Sequence, residues 1–96
     1  MEKTFFVYIV ASLSRRLYTG VTSDLQGRMW QHKNKTMNGF TKKYNINRLV
    51  WFVETDDWHA AIEEEKRIKG WRREKKIQLL EKTNISWQDL SEQWVE

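Results

Sequence analysis

Two apolar runs rich in aromatic and β-branched residues, FFVYIVA (5 to 11) and LYTGVT (17 to 22), stand either side of the polar SLSRR. Runs of that length and content predict a β-hairpin. With the connection at SLSRR, residues 10 and 18 stand near opposite, so Tyr8 faces Gly20 and lies diagonal to Tyr18 on the same face. TSD (22 to 24) then offers N-cap candidates for a helix running to about Asn34. The basic, polar KTMNGFTKKYNIN reads as a loop, and RLVWFVE (48 to 54) as a third strand.

The second half changes period. TDDWHAAIEEEKRIK (55 to 69) opens with capping residues and continues as a helix that Gly70 ends. RREKKIQLLEK (72 to 82) predicts a further helix, and SWQDLSEQWV (86 to 95) a short terminal one. The order is β-β-α-β-α-α-α: an α+β fold with three strands and flanking helices. With 96 residues the chain is expected to form one domain, residues 1–96, with a surface groove for a site rather than a deep pocket.

Composition narrows the function. Hydrophobic residues at 40% and six Trp mark a chain that folds. The absence of Cys excludes thiol chemistry and zinc-thiolate sites. FFVYIVA, the longest apolar stretch, is strand length, so no membrane partner is expected and the cytoplasm is the default location. The net charge of +4 hides an asymmetry: residues 1 to 48 hold 9 Lys/Arg against 2 acids (+7), residues 49 to 96 hold 8 against 11 (−3). Clustered positive charge is the footprint of a polyanion, here nucleic acid, with Lys33, Lys35, Lys42 and Lys43 as candidate contacts. The basic run KRIKGWRREKK (66 to 76) reads either as phosphate contacts or as a solvated face.

Three groups are candidates for chemistry. Tyr8 and Tyr18 meet on one face, as a reactive pair or as packed aromatics. Arg28 and His32 are four apart on the first helix and share a side, with His32 at the border of the stripe marked by Leu25 and Met29. Glu65 continues the apolar stripe of Trp58, Ala61, Ile62 and Ile68 with a carboxylate. A charge there calls for a structural Arg or Lys partner, or for a metal. No second carboxylate shares the stripe, which favours one ion over two. His59 falls off the stripe and reads as a surface residue.

The ordered set VYIV, LYTG, an Arg and a His four apart on a helix, and a lone inward Glu on a later helix resembles the GIY-YIG nuclease superfamily. It is most similar to the small stand-alone members of the URI type. The likeness covers residues 4 to about 90 and includes GFTKKY and EKRIKGWRR. The departures are a first motif without its glycine, Thr19 where Ile is usual, Gly27 where Arg is frequent, and Ile85 where Pro is common.

What the resemblance implies is a three-stranded antiparallel sheet flanked by helices and a Mg²⁺-dependent (or Mn²⁺-dependent) endonuclease using one ion, acting on nucleic acid, DNA first. Tyr8 and Tyr18 would flank the attacking water, one as base and one orienting it. The base would be a phenol whose ordinary pKa near 10 is lowered by Arg28 and the bound cation. Arg28 would neutralise the phosphate, His32 would relay a proton, Glu65 would hold the metal and Asn84 would complete the site. The rival readings are a nucleic-acid-binding module that does not cleave, and a protein-interaction module in which the tyrosines and Glu65 are structural.

Overall fold

The first two apolar runs pair as read. In the computed structural model, which describes residues 3–36 and 39–94, β1 (Phe5–Ala11) and β2 (Leu17–Thr22) form an antiparallel hairpin with Val10 opposite Tyr18 and Tyr8 opposite Gly20. The connection closes through Ser12: its backbone N–H donates to Arg16 O and its hydroxyl accepts from Arg16 N, both at 3.0 Å. Arg15 takes the left-handed turn conformation, φ 69°. The two turn arginines lean on distant rings, Arg15 on Trp87 at 4.5 Å and Arg16 on Tyr44 at 4.0 Å.

β3 (Arg48–Thr55) pairs antiparallel with the other side of β1, giving the order β2-β1-β3. Strand alternation then divides the core. Val7, Ile9 and Ala11 face α3 (Trp58–Lys69) and α4 (Arg73–Glu81), with Ala61, Ile68 and Leu80 buried against them. Tyr8 and Val10 face α1 (Leu25–Lys33), which contributes Leu25 and Met29. Asp24 caps α1, its carboxylate accepting from Gly27 N at 3.0 Å. A Cβ on Gly27 would press on that carboxylate, which would have to shift aside to admit a side chain.

The fold class is the expected one, α+β on a three-stranded antiparallel sheet, with two local corrections. The segment read as loop holds a one-turn helix, α2 (Phe40–Lys43), entered through Gly39 at φ 86°. Its Phe40 packs on Tyr44 with ring centroids 4.8 Å apart. Met37 and Asn38 lie outside the described residues.

The expected terminal helix over 86–95 is absent from the described part of that segment, which runs as turns along the outer edge of β3. Leu90 N donates to Leu49 O at 2.7 Å, while Asp89 accepts from the N–H groups of Leu49 and Ser91. Trp87, at φ 57°, has left the helical region. Bonds to the strand have replaced a helical ladder.

Thr19 projects to the α3 side, opposite Ile9 in the register, and its hydroxyl is buried with no hydrogen-bond partner among the described residues. A buried polar group without a partner costs about 1–3 kcal/mol. Thr19→Val, which keeps the branched shape, should therefore raise the unfolding free energy by about 1 kcal/mol in urea. A lowered midpoint would show that the hydroxyl has a partner.

Candidate active site

Gly20 fixes where the first phenol stands. A Cβ on residue 20 would lie 2.5 Å from the Tyr8 hydroxyl and 2.6 Å from its ring. The Tyr8 ring therefore lies directly over the glycine of its cross-strand partner, which carries the hydroxyl toward the β2 edge. Two residues earlier on the same face, Tyr18 is half-buried.

α1 brings the next groups. His32 is buried, and its Nε2 is 3.3 Å from the Tyr8 hydroxyl. The imidazole stands between the phenols, with ring centroids 5.8 Å from Tyr8 and 6.1 Å from Tyr18. Arg28, one turn earlier, places its guanidinium beside both Tyr8 and His32 and acts on each through its charge. A shallow surface groove runs past Arg28 along Thr22, Asp24, Gly27 and Gln31, in keeping with the expected open site. A more apolar pocket lined by Phe6, Leu25, Phe52 and Trp94 includes none of these groups.

α3 closes the third side. Glu65 is buried on the stripe where the periodicity put it, between Ala61 and Ile68, and its charge is felt at Tyr8. Its Oε2 accepts from Lys69 Nζ at 2.8 Å. The same ammonium lies 5.5 Å from the centroid of the Tyr18 ring. Of the two partners that the sequence left open for the carboxylate, the lysine is therefore present. The residue missed at the sequence level is Lys69, though the spacing of four from Glu65 on one helix was the signal that could have found it.

The electrostatics of the pair bear on the part of the expected pKa lowering that falls to Arg28. Burial pushes the Tyr8 phenol up to about 12, more than the neighbouring Arg28 lowers it. Burial, then Arg28, pushes His32 down to about 4. At neutral pH the two form a neutral phenol–imidazole pair, and Arg28 alone does not make the phenol acidic.

Other residues singled out by sequence stand elsewhere. Asn84 is buried beside β3, where its amide donates to Val50 O and Gln88 O and its carbonyl accepts from Gln88 N. Its side-chain hydrogen bonds among the described residues all go to backbone groups. Lys33 pairs with Asp89 at 2.5 Å and also donates to Asn47 O. Burial works against the Asp89 carboxylate, but the bonds from Lys33, Ser91 and Leu49 hold it below its usual value. Lys35, Lys42 and Lys43 are exposed, and Lys43 lies over Tyr44 at 5.3 Å. His59 is exposed.

Residues 4–78 match the family model described as the GIY-YIG catalytic domain. The chain belongs to the GIY-YIG catalytic domain family. Its similar relatives include a UPF0213 protein of Haloquadratum walsbyi, 37% identical over 84% of this chain and 91% of the relative. Another, from Pediococcus pentosaceus, is 30% identical over 90% of each. The solution NMR structure of a UPF0213 protein from Bacillus halodurans shares the fold, with a TM-score of 0.59 and 24% identity over 97% of this chain and 99% of that one. The GIY-YIG domain marks a nuclease family that acts on nucleic acid and generally works with a divalent ion.

Among the described residues no three His, Cys, Asp or Glu side chains gather to enclose a metal, and no helix is long and apolar enough to cross a membrane. The donor set still fits one hard cation. Mg²⁺ binds through one or two carboxylates together with waters and substrate phosphates, without an all-protein cage. Glu65 supplies one buried carboxylate whose Oε1 has no hydrogen bond among the described residues.

The buried neutral imidazole makes stability depend on pH. The folded value of His32, about 4, lies below its ordinary 6.5. Its contribution is therefore complete above pH 6.5 and is lost as pH falls toward 4. His32→Gln should flatten that part of the stability–pH curve, removing up to about 3 kcal/mol of pH dependence in denaturant titrations. Parallel curves for the two proteins would show that His32 does not titrate in this way.

Proposed function

We propose that residues 1–96 form one nuclease domain, an endonuclease that hydrolyses phosphodiester bonds of nucleic acid, DNA first, with one Mg²⁺ or Mn²⁺ on Glu65. The observation that carries this reading is the convergence of Tyr8, Tyr18, Arg28, His32 and Glu65 from four elements on the β2 edge of a GIY-YIG domain. Packing alone does not call for a buried imidazole against a phenol, or for a carboxylate on an apolar stripe. The cytoplasm, where nucleic acid is present, is the proposed setting.

Hydrolysis of a phosphodiester asks for a deprotonated water, positive charge for the phosphoryl oxygens and help for the leaving oxygen. A divalent ion, when bound, supplies charge for the leaving oxygen. Arg28 binds the phosphate and brings its charge to the groove. The phosphate in turn offsets the Arg28 charge that disfavours protonated His32, so the imidazole becomes a better proton acceptor in the complex. Tyr8 hands its proton to His32 Nε2 as it takes one from the water, and Tyr18 holds that water from the other side. Asn84 takes no part in these steps, since its amide is committed to backbone groups.

A second reading, a domain that binds nucleic acid without cleaving it, draws on the Tyr8 phenol held at about 12 and on the occupation of Glu65 by Lys69. A cleavage assay on plasmid, single-stranded DNA and RNA separates the two. With Mg²⁺ or Mn²⁺ the parent should cut, and Glu65→Gln should not, while still binding. Tyr8→Phe should fold like the parent and lose about two orders of magnitude in rate, the scale of a positioned acid or base. Full activity in Tyr8→Phe would reduce the phenol to a packing group.

Binding should be mainly electrostatic. Lys35, Lys42 and Lys43 are exposed and outside any ion pair among the described residues, whereas Lys33 is held by Asp89. Lys42→Ala with Lys43→Ala should weaken oligonucleotide affinity and reduce the slope of log K against log salt by about 2, with divalent-ion binding unchanged. Affinity that does not respond to salt would reject the interface.

A further inference from the structure

Lys69 is not an incidental surface cation. It is the last residue of α3, four positions after Glu65, and its ammonium takes one oxygen of the buried carboxylate at 2.8 Å while lying 5.5 Å from the Tyr18 ring. The side chains differ in freedom: Glu65 is 12% exposed and Lys69 is 51% exposed. The carboxylate is fixed by the helix and the core, and the ammonium sits on a flexible stem open to solvent. Of the three ion pairs among the described residues, this one alone involves a group of the proposed site.

The chemistry of the pair follows from charge. A buried carboxylate is costly when ionised unless a positive partner or hydrogen bonds compensate it. Without a divalent ion that partner is Lys69. An ion arriving at the same carboxylate would meet the ammonium as a like charge at close range, and the partner free to move is the lysine. Resting on the reading that Glu65 is the metal ligand, we propose that Lys69 is a displaceable cation. It holds and neutralises Glu65 in the metal-free protein, and gives the carboxylate up when a divalent ion binds. The freed ammonium then remains beside the Tyr18 ring, available to a substrate phosphate that approaches the phenols. Lys69 is thus a positioning residue that links metal binding to the charge presented to substrate.

Direct titration with Mn²⁺ in the absence of nucleic acid, followed by the electron paramagnetic resonance signal of the free ion, tests this on the full chain. Lys69→Met keeps the stem and removes the charge at a half-exposed position, and thermal melts establish that it folds. It should bind Mn²⁺ about tenfold tighter than the parent, the least expected from removing one like charge at this range. Lys69→Gln should do the same, so the result does not depend on the folding of one variant. Equal or weaker binding in the variants, with clear binding by the parent that Glu65→Gln abolishes, overturns the role of Lys69 and leaves the metal reading intact. Parent binding that survives in Glu65→Gln, or no binding by parent and lysine variants alike, overturns both.

Discussion

A phenol reaches the centre of this site because the residue opposite it has no side chain. Tyr8 is fully buried, with its ring over Gly20 and its hydroxyl against His32. An ordinary residue at position 20 would push the ring off its partner strand. The consequence spreads outward. With the ring in place, α1 packs so that His32 meets the hydroxyl and Arg28 follows one turn earlier, and Leu25 and Met29 fill the space beside them. The hairpin register supplies the rest, since the same alternation that aims Tyr8 at this face aims Tyr18 there and sends Thr19 to the other.

Burial gives that arrangement its precision and takes away part of its reactivity. Desolvation disfavours the charged forms of both partners, holding the phenol near 12 and the imidazole near 4. The resting pair is neutral, and the charged groups stand around it: Arg28 on one side, Glu65 with Lys69 on the other. Under the proposed function, activation then falls to the charges that a substrate and a metal ion would bring. That would suit a small domain with an open groove, since on the proposed reading the reactive state is assembled only when a phosphate is present.

Much of this was legible in the sequence, for local reasons. Strand alternation located β1, β2 and β3 within a residue or so, and Asp24, Asp57 and Gly70 marked helix ends where they were expected. The helical period placed Glu65 inward and His32 at the buried border. What failed to show depended on partners far along the chain. The segment after Asn84 has the composition of a helix, but Asp89 bonds to Leu49, forty residues earlier, and draws it along β3. Asp89 also claims Lys33, which by charge alone looked available. Asn84 followed from resemblance, and its surroundings, not its identity, commit it to the backbone of β3.

The carboxylate of Glu65 shows how the two kinds of reading meet. The sequence posed a choice between a structural cation and a metal, as though one must exclude the other. A single buried carboxylate on a helix is best kept ionised by a cation, and a lysine one turn away is the partner that can be present at all times. The pairing that makes the folded metal-free domain tolerable therefore does not argue against a ligand role. It is what a ligand carboxylate on an apolar stripe requires whenever its ion is absent. The contrast with Lys33 and Asp89 sharpens the point. That aspartate also accepts from Leu49 and Ser91 and so is fixed in the fold, whereas Glu65 has Lys69 as its one hydrogen-bond partner among the described residues.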